Sequence, residues 1–227
     1  MYLCILICKS MKRQRLTVIL VTFFILLASG FAFYYYSVSK EMRQPELAIV
    51  GEPGQSIRPF AFLNQEGDTI TNEHIKNKIV VVEYFFTTCK GICPKMNENM
   101  AKVYQAYRND DDVVILSHTV DPKRDSVAAM KAYSLRFDAD PKHWMFLTGD
   151  KKALYDQAYY SYLMTAVEER NPNVEDDFIH TEKFVLVDRK GRLRMRLAKD
   201  GKAEAYDGTN EKSVAQLIED IKLLEAE

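Results

Sequence analysis

The sequence predicts an α/β domain built on a central mixed sheet flanked by helices and preceded by one N-terminal transmembrane helix. Three observations predict it. Leu16 to Ser39 is a run without a charged residue. Ile79 to Phe86 (IVVVEYFF) has the near-continuous apolarity of a strand buried on both faces, and it leads directly into a cysteine pair and a helix start. Helical and strand-like patterns then alternate to the end of the chain, as expected of layers packed around one core.

The chain has 227 residues, 47% hydrophobic and 28% charged, enough for one globular domain and an appended segment. Its 31 basic and 32 acidic residues leave a formal charge of -1, so no long-range field recruits nucleic acid. Recognition must be local.

About 20 apolar residues suffice to cross a bilayer as a helix, so residues 16–39 form a candidate anchor. Lys9, Lys12, Arg13 and Arg15 precede it and keep residues 1–15 on the cytoplasmic side, with the remainder outside. Tyr34, Tyr35 and Tyr36 would sit at the outer interface. A cleaved signal peptide is the competing reading, with Ala28-Ser29-Gly30 near the cleavage point, and Met11 is an alternative start. The anchor is preferred because the apolar run continues past those small residues. No cysteine follows them, so a lipoprotein anchor is not indicated.

Residues 40–53 are polar, with Pro45, Gly51 and Pro53, and read as a linker; the domain is expected over 54–227. FAFLNQEGDTIT predicts a hairpin turning at Gly67. Pro94 to Arg108 places Met96, Met100, Val103, Tyr104 and Tyr107 at helical spacing, with Pro94 at a first-turn position where its missing N–H costs nothing. Methionine can bind copper, but Met96 and Met100 on that stripe read as core filler. DVVILSHTV is a strand, Ser126 to Phe137 a helix capped by Asp125 or Ser126, WMFLT a strand, and Asp150 to Tyr160 a helix. Thr165 to Ile179 is acidic and irregular and reads as a loop. KFVLVD and RLRMRLA form a hairpin across Arg189-Lys190-Gly191, and Val214, Leu217, Ile218, Ile221 and Leu224 mark a last amphipathic helix. This order is that of a thioredoxin-like fold.

The four cysteines form two pairs of equal spacing, Cys4 with Cys8 and Cys89 with Cys93. The first lies in an apolar stretch lacking a third donor and reads as incidental. The second lies between a buried strand and a helix start, at the sheet edge where α/β proteins hold their chemistry. A helix N-terminus favours the thiolate, and Lys90 and Lys95 add to that expectation. Gly91 and Pro94 suggest a turn shaped for exposure.

Three intervening residues still permit a disulfide if the Cα atoms come within ~7 Å. They also open a bite for one metal held by two thiolates. Such thiolates with an imidazole favour cuprous copper, and the same set holds cupric copper with an added weak ligand. Among the histidines, His74 in TNEHIKNK reads as a surface residue and His143 as structural, while His118 ends a strand at the same sheet edge and is a weaker candidate. His180 immediately precedes KFVLVD, the strand that in this topology lies beside the cysteine-bearing one, and is the preferred third ligand.

EYFFTTCKGICPKMN, TVDPKRDSVAAMKAYSLRFDADPKHWMFLTG, IHTEKFVLVDRKGRL and the terminal YDGTN, in that order, resemble the SCO/SenC family from about residue 54 onward. The combination of C-x-x-x-C-P, D-P-x-R-D and a late histidine makes the resemblance specific. It implies a membrane-anchored metallochaperone that binds copper through Cys89, Cys93 and His180. It also implies a domain facing the periplasm or cell exterior and a role in building the binuclear copper centre of cytochrome c oxidase, with subunit II as partner. One departure is Ile179, where the family often has an acidic residue before the histidine. Asp121 and Asp125 match the family and could support the metal's ligands, or serve only as a turn and a helix cap.

The principal alternative is an extracytoplasmic thiol-disulfide oxidoreductase in which Cys89 and Cys93 are the redox-active catalytic pair. Thioredoxins carry C-x-x-C and a cis-proline, and this chain has neither. A peroxidase lacks its Thr-x-x-Cys arrangement here, and a copper-sensing or purely binding module is a third class.

Overall fold

The computed structural model describes residues 2–41, 47–164, 181–198 and 201–227, with side chains of the first helix described from 17 to 38. Two compact units divide it, Met1–Pro45 and Glu46–Glu227. The first is helix α1 (Tyr2–Glu41). Thr17–Val38 within it has a mean hydropathy of 2.2 and is long and apolar enough to cross a membrane. Phe24, Leu26 and Phe33 are all exposed on this helix, and an N-terminal helix apolar all round suits a membrane anchor, whose solvent is lipid.

The second unit has the expected thioredoxin-like, mixed α/β architecture. In chain order its elements are β1 (Leu47–Val50), β2 (Ala61–Leu63), β3 (Thr69–Thr71), β4 (Ile79–Phe85), α2 (Cys93–Tyr107), β5 (Val113–Thr119), α3 (Val127–Ser134), β6 (Trp144–Leu147), α4 (Lys151–Tyr160), β7 (Lys183–Val187), β8 (Leu193–Leu197), β9 (Ala203–Glu204), β10 (Tyr206–Asp207) and α5 (Glu211–Glu225). The main sheet runs β1-β8-β7-β4-β5-β6, with β9 beside β8 and β10 beside β7. β4, β5 and β6 are parallel, whereas β7 pairs antiparallel with both β4 and β8.

β4 shows why its sequence lacks alternation. Ile79, Val81 and Phe85 enter one core, with the apolar faces of α2, α3 and α5. Val80, Val82 and Tyr84 enter a second core on the opposite face, with the β2–β3 hairpin and α4. Both faces are covered, so both sets must be apolar. Met96 and Met100 are fully buried in the first core, as their spacing suggests.

Two features differ from the sequence reading, and one choice it left open is decided. Leu47–Val50 lies within the segment read as a linker, yet it pairs antiparallel with β8, Leu47 opposite Arg196 and Val50 opposite Leu193. Its short apolar run has no periodicity of its own, and only the β8 edge makes it a strand. Of the two expected caps of α3, Ser126 is the one used, its hydroxyl accepting from Ala129 N at 3.3 Å, while Asp125 has other partners. A short 3₁₀ turn at Leu135–Phe137 replaces the end of that helix. The segment read as an acidic loop, Thr165 to Ile179, lies outside the described residues, as does His180.

Candidate metal centre

Strand β4 delivers the chain to the C-terminal edge of the parallel strands, and four residues further on Cys89 begins the turn into α2. Cys89 N donates to Phe86 O at 3.2 Å, closing that turn. Pro94 occupies the first turn of α2, and Cys93 is its first residue. Both thiols are free, Cys89 half-buried and Cys93 only 5% exposed. The two side chains are within hydrogen-bonding reach of each other, so one soft metal ion could take both sulfurs. Gly91 has no left-handed backbone; a Cβ there would lie 4.0 Å from the Cys89 sulfur, so its absence keeps that flank open.

The electrostatics of Cys93 reverse the sequence expectation. Burial pushes its thiol well above the usual range, its hydrogen bond with Cys89 pushes it further, and a bond with the Phe86 backbone only partly opposes them. The helix N-terminus does not prevail because the sulfur is packed into the core. Lys95 is also not free to help, because its ammonium pairs with Glu211 at 3.0 Å, which in turn takes Lys102. A thiol that holds its proton this firmly gives it up to a soft metal or to oxidation, not to water at neutral pH.

Beneath the pair lies an acid that sequence reasoning missed. Glu83 is fully buried on β4; Ser117 Oγ donates to its Oε1 at 2.5 Å, and Trp144 Nε1 donates to Ser117 Oγ at 2.8 Å. Its Oε2 has no partner among the described residues. Burial pushes the carboxyl up to about 7, against the lowering effect of Ser117. Its charge adds to the upward pressure on Cys93. The signal was present in the sequence: Glu83 is the one charged residue in Ile79 to Phe86, a run that reads as buried on both faces.

The other histidines fall away from the pair. His118 is fully buried in the opposite core, stacked on Tyr84 with ring centroids 4.9 Å apart, and is no ligand. His74 Nδ1 accepts from Thr71 N at 3.1 Å at a capping box, and His143 Nε2 lies 3.7 Å from Asp111 Oδ1. Among the described residues no three of His, Cys, Asp and Glu converge into a metal cluster. Asp121 forms the expected turn and pairs with Arg124 at 3.5 Å. Asp125 instead accepts hydrogen bonds from Thr87 and Thr119. No sequence signal connects these residues, since the partners are 38 and 6 positions away.

The family model for SCO1/SenC matches residues 51–214. The chain belongs to the SCO1/SenC family. The SCO1 protein homolog of Bacillus subtilis (strain 168) is 28% identical over 167 residues, 73% of this chain and 81% of that protein. BsSco, a member of the Sco family of cytochrome c oxidase assembly proteins in which a disulfide switch was identified, is 25% identical with a TM-score of 0.60, over 78% of this chain and 98% of the other. Bradyrhizobium japonicum ScoI, solved with copper bound, is 25% identical with a TM-score of 0.56, over 75% of this chain and 99% of the other. These SCO structures share the thioredoxin-like sheet and flanking helices described above.

The asymmetry between the two thiols predicts their reactivity. In the reduced protein Cys89 is expected to alkylate at least about tenfold faster than Cys93 at neutral pH, because exposure and thiolate character govern the rate. Timed iodoacetamide labelling with peptide mass spectrometry reads this directly. Equal rates would mean that Cys93 is not buried in solution.

Proposed function

We propose that this SCO1/SenC protein binds copper through Cys89, Cys93 and His180 and serves the assembly of cytochrome c oxidase. There it delivers copper to the binuclear copper centre of subunit II or prepares the thiols of that centre. The observation that carries the reading is the pair of free, adjacent thiols at the sheet edge in a chain of a family that includes a copper-bound member. Two sulfur donors suit a soft ion, and copper is here cargo to be held and passed on. His180 is proposed as the third donor on its position directly before the β7 region, adjoining β4.

Copper X-ray absorption and metal content on the full-length protein in detergent test this. One copper per chain with two sulfur donors and one nitrogen donor is expected. His180→Ala should keep the fold and weaken binding by at least about tenfold, since even residues that only support metal ligands cost 10–100-fold. Unchanged affinity and spectrum in that variant would refute the ligand assignment.

The position of α1 supports a single-pass anchor in the cytoplasmic membrane, with the basic residues before Leu16 inside and the domain facing the periplasm or cell exterior. Protease reaching the domain only from outside the cytoplasmic membrane is the expected result; a domain digested only from the cytoplasmic side would reverse the orientation.

The thiol-disulfide oxidoreductase reading is favoured by one observation. A half-exposed thiol beside a buried one is the arrangement of an attacking and a resolving cysteine. Oxidase assembly in cells carrying His180→Ala separates the two: both thiols remain, so normal assembly favours the reductase, and failure relieved by added copper favours delivery.

A further inference from the structure

A single carboxyl group collects threonines from the ends of the parallel strands. Asp125 is fully buried. Thr119, the last residue of β5, donates its hydroxyl to Asp125 Oδ2 at 2.5 Å. Thr87, two residues beyond β4, donates its hydroxyl to Oδ1 at 2.5 Å and its backbone N–H to both oxygens at 3.3 and 3.2 Å. Thr148, directly after β6, donates to the backbone oxygen of Asp125 at 2.7 Å. The turn is closed by Asp125 N to Asp121 O at 2.9 Å, and Asp121 N donates to Thr119 Oγ1 at 2.9 Å.

The Thr87 N–H shares one rigid peptide plane with the Phe86 carbonyl. That carbonyl accepts the Cys89 N–H at 3.2 Å, while the Phe86 N–H, on the preceding peptide plane, donates to the Cys93 sulfur. Asp125 therefore grips one side of the plane whose other side carries the cysteine turn. A rotation of that plane would carry its hydrogen bond to Cys89 with it, whereas Cys93 is bonded to the plane before.

We propose that Asp125 is a positioning residue for the thiol pair: by locking the 86–87 peptide through Thr87 it sets how readily Cys89 and Cys93 reach disulfide geometry. The inference rests on the reading that this pair is the working site. Disulfide geometry is specific, and small displacements change reducibility.

The test is the equilibrium of the full-length protein in detergent with glutathione, without copper. Protein dithiol and glutathione disulfide give protein disulfide and two reduced glutathiones; two electrons pass from the cysteine sulfurs to the glutathione disulfide, and the two thiol protons end on the glutathione thiols. Thr87→Val removes only the loop-side hydroxyl from a residue that is not in the core. It should change the equilibrium constant by about tenfold or more, equivalent to about 30 mV, and Thr87→Ser should restore it. Asp125→Asn should shift it in the same direction as Thr87→Val.

Thr148→Val removes a hydrogen bond to the Asp125 backbone and none to the loop. It should lower Tm yet leave the constant within about twofold of wild type. A Thr87→Val constant within twofold of wild type, or a Thr148→Val shift as large, would overturn the proposal and leave Asp125 a core staple. Wild-type protein that fails to bind copper would refute the proposed function and leave this comparison standing.

Discussion

The stability advantage of His118→Phe over wild type is expected to grow by about 4 kcal/mol between pH 7 and pH 3, at about 1.4 kcal/mol per unit of pKa shift. His118 sits at 0% exposure among Tyr84, Phe60, Phe62 and Tyr162, and neither ring nitrogen has a hydrogen-bond partner among the described residues. Burial lowers it from 6.5 to about 3. Below pH 6.5 the unfolded imidazole takes a proton that the folded one refuses until about 3, so the unfolded state binds more protons and stability falls as pH falls through that window.

Glu83 acts in the opposite direction. Its folded carboxyl keeps a proton up to about 7 while the unfolded one loses it near 4.5, so stability falls as pH rises between those values, by about 3 kcal/mol in all. Between 4.5 and 6.5 the two groups nearly cancel, and below 4.5 His118 acts alone. Denaturant titrations across pH on wild type, His118→Phe and Glu83→Gln resolve the two contributions. A His118→Phe protein that kept the wild-type loss below pH 4.5 would show that the imidazole is not the acid-labile group.

Gly208→Ala is expected to cost about 3 kcal/mol, the upper part of the range for forcing a methyl into a filled core. A Cβ at this position would lie 2.5 and 2.6 Å from Cε1 and Cζ of Phe184 and 3.0 Å from Glu182 O. Phe184 is fully buried and cannot swing aside. The backbone is held there from both sides, Gly208 N donating to Glu182 O at 2.7 Å and Asn99 Nδ2 donating to Gly208 O at 2.8 Å. This is the physical content of the glycine in YDGTN: it lets the chain before α5 pass against β7. Thermal melts measure the loss. A variant within about 0.5 kcal/mol of wild type, the usual range for a neutral surface change, would show that the Phe184 contact is slack.

The cysteine pair, the helix that follows it and the two-faced strand before it were legible because each is written in neighbouring residues. Apolar spacing along α2, the unbroken run of β4 and the C-x-x-x-C-P spacing are local patterns that survive any packing. The family motifs are legible for the same reason. Leu47–Val50 was not, because a four-residue apolar run becomes a strand only when an edge such as β8 is beside it. The acidity of Cys93 was misjudged on sequence, since a helix start argues for thiolate and only the packed core argues against it.

Which face of the sheet a histidine takes, and which donors a buried aspartate collects, likewise depended on partners remote in the chain. His118 went to the core opposite the thiols, and Asp125 became the anchor of the cysteine turn. The sequence by itself determined the fold class, the family and the placement of two cysteines at a helix start, because periodicity and spacing are properties of adjacent residues. Only the tertiary structure decided that Cys93 is buried and holds its proton and what holds the cysteine turn in place, because burial and hydrogen-bond partnership are properties of the packed chain.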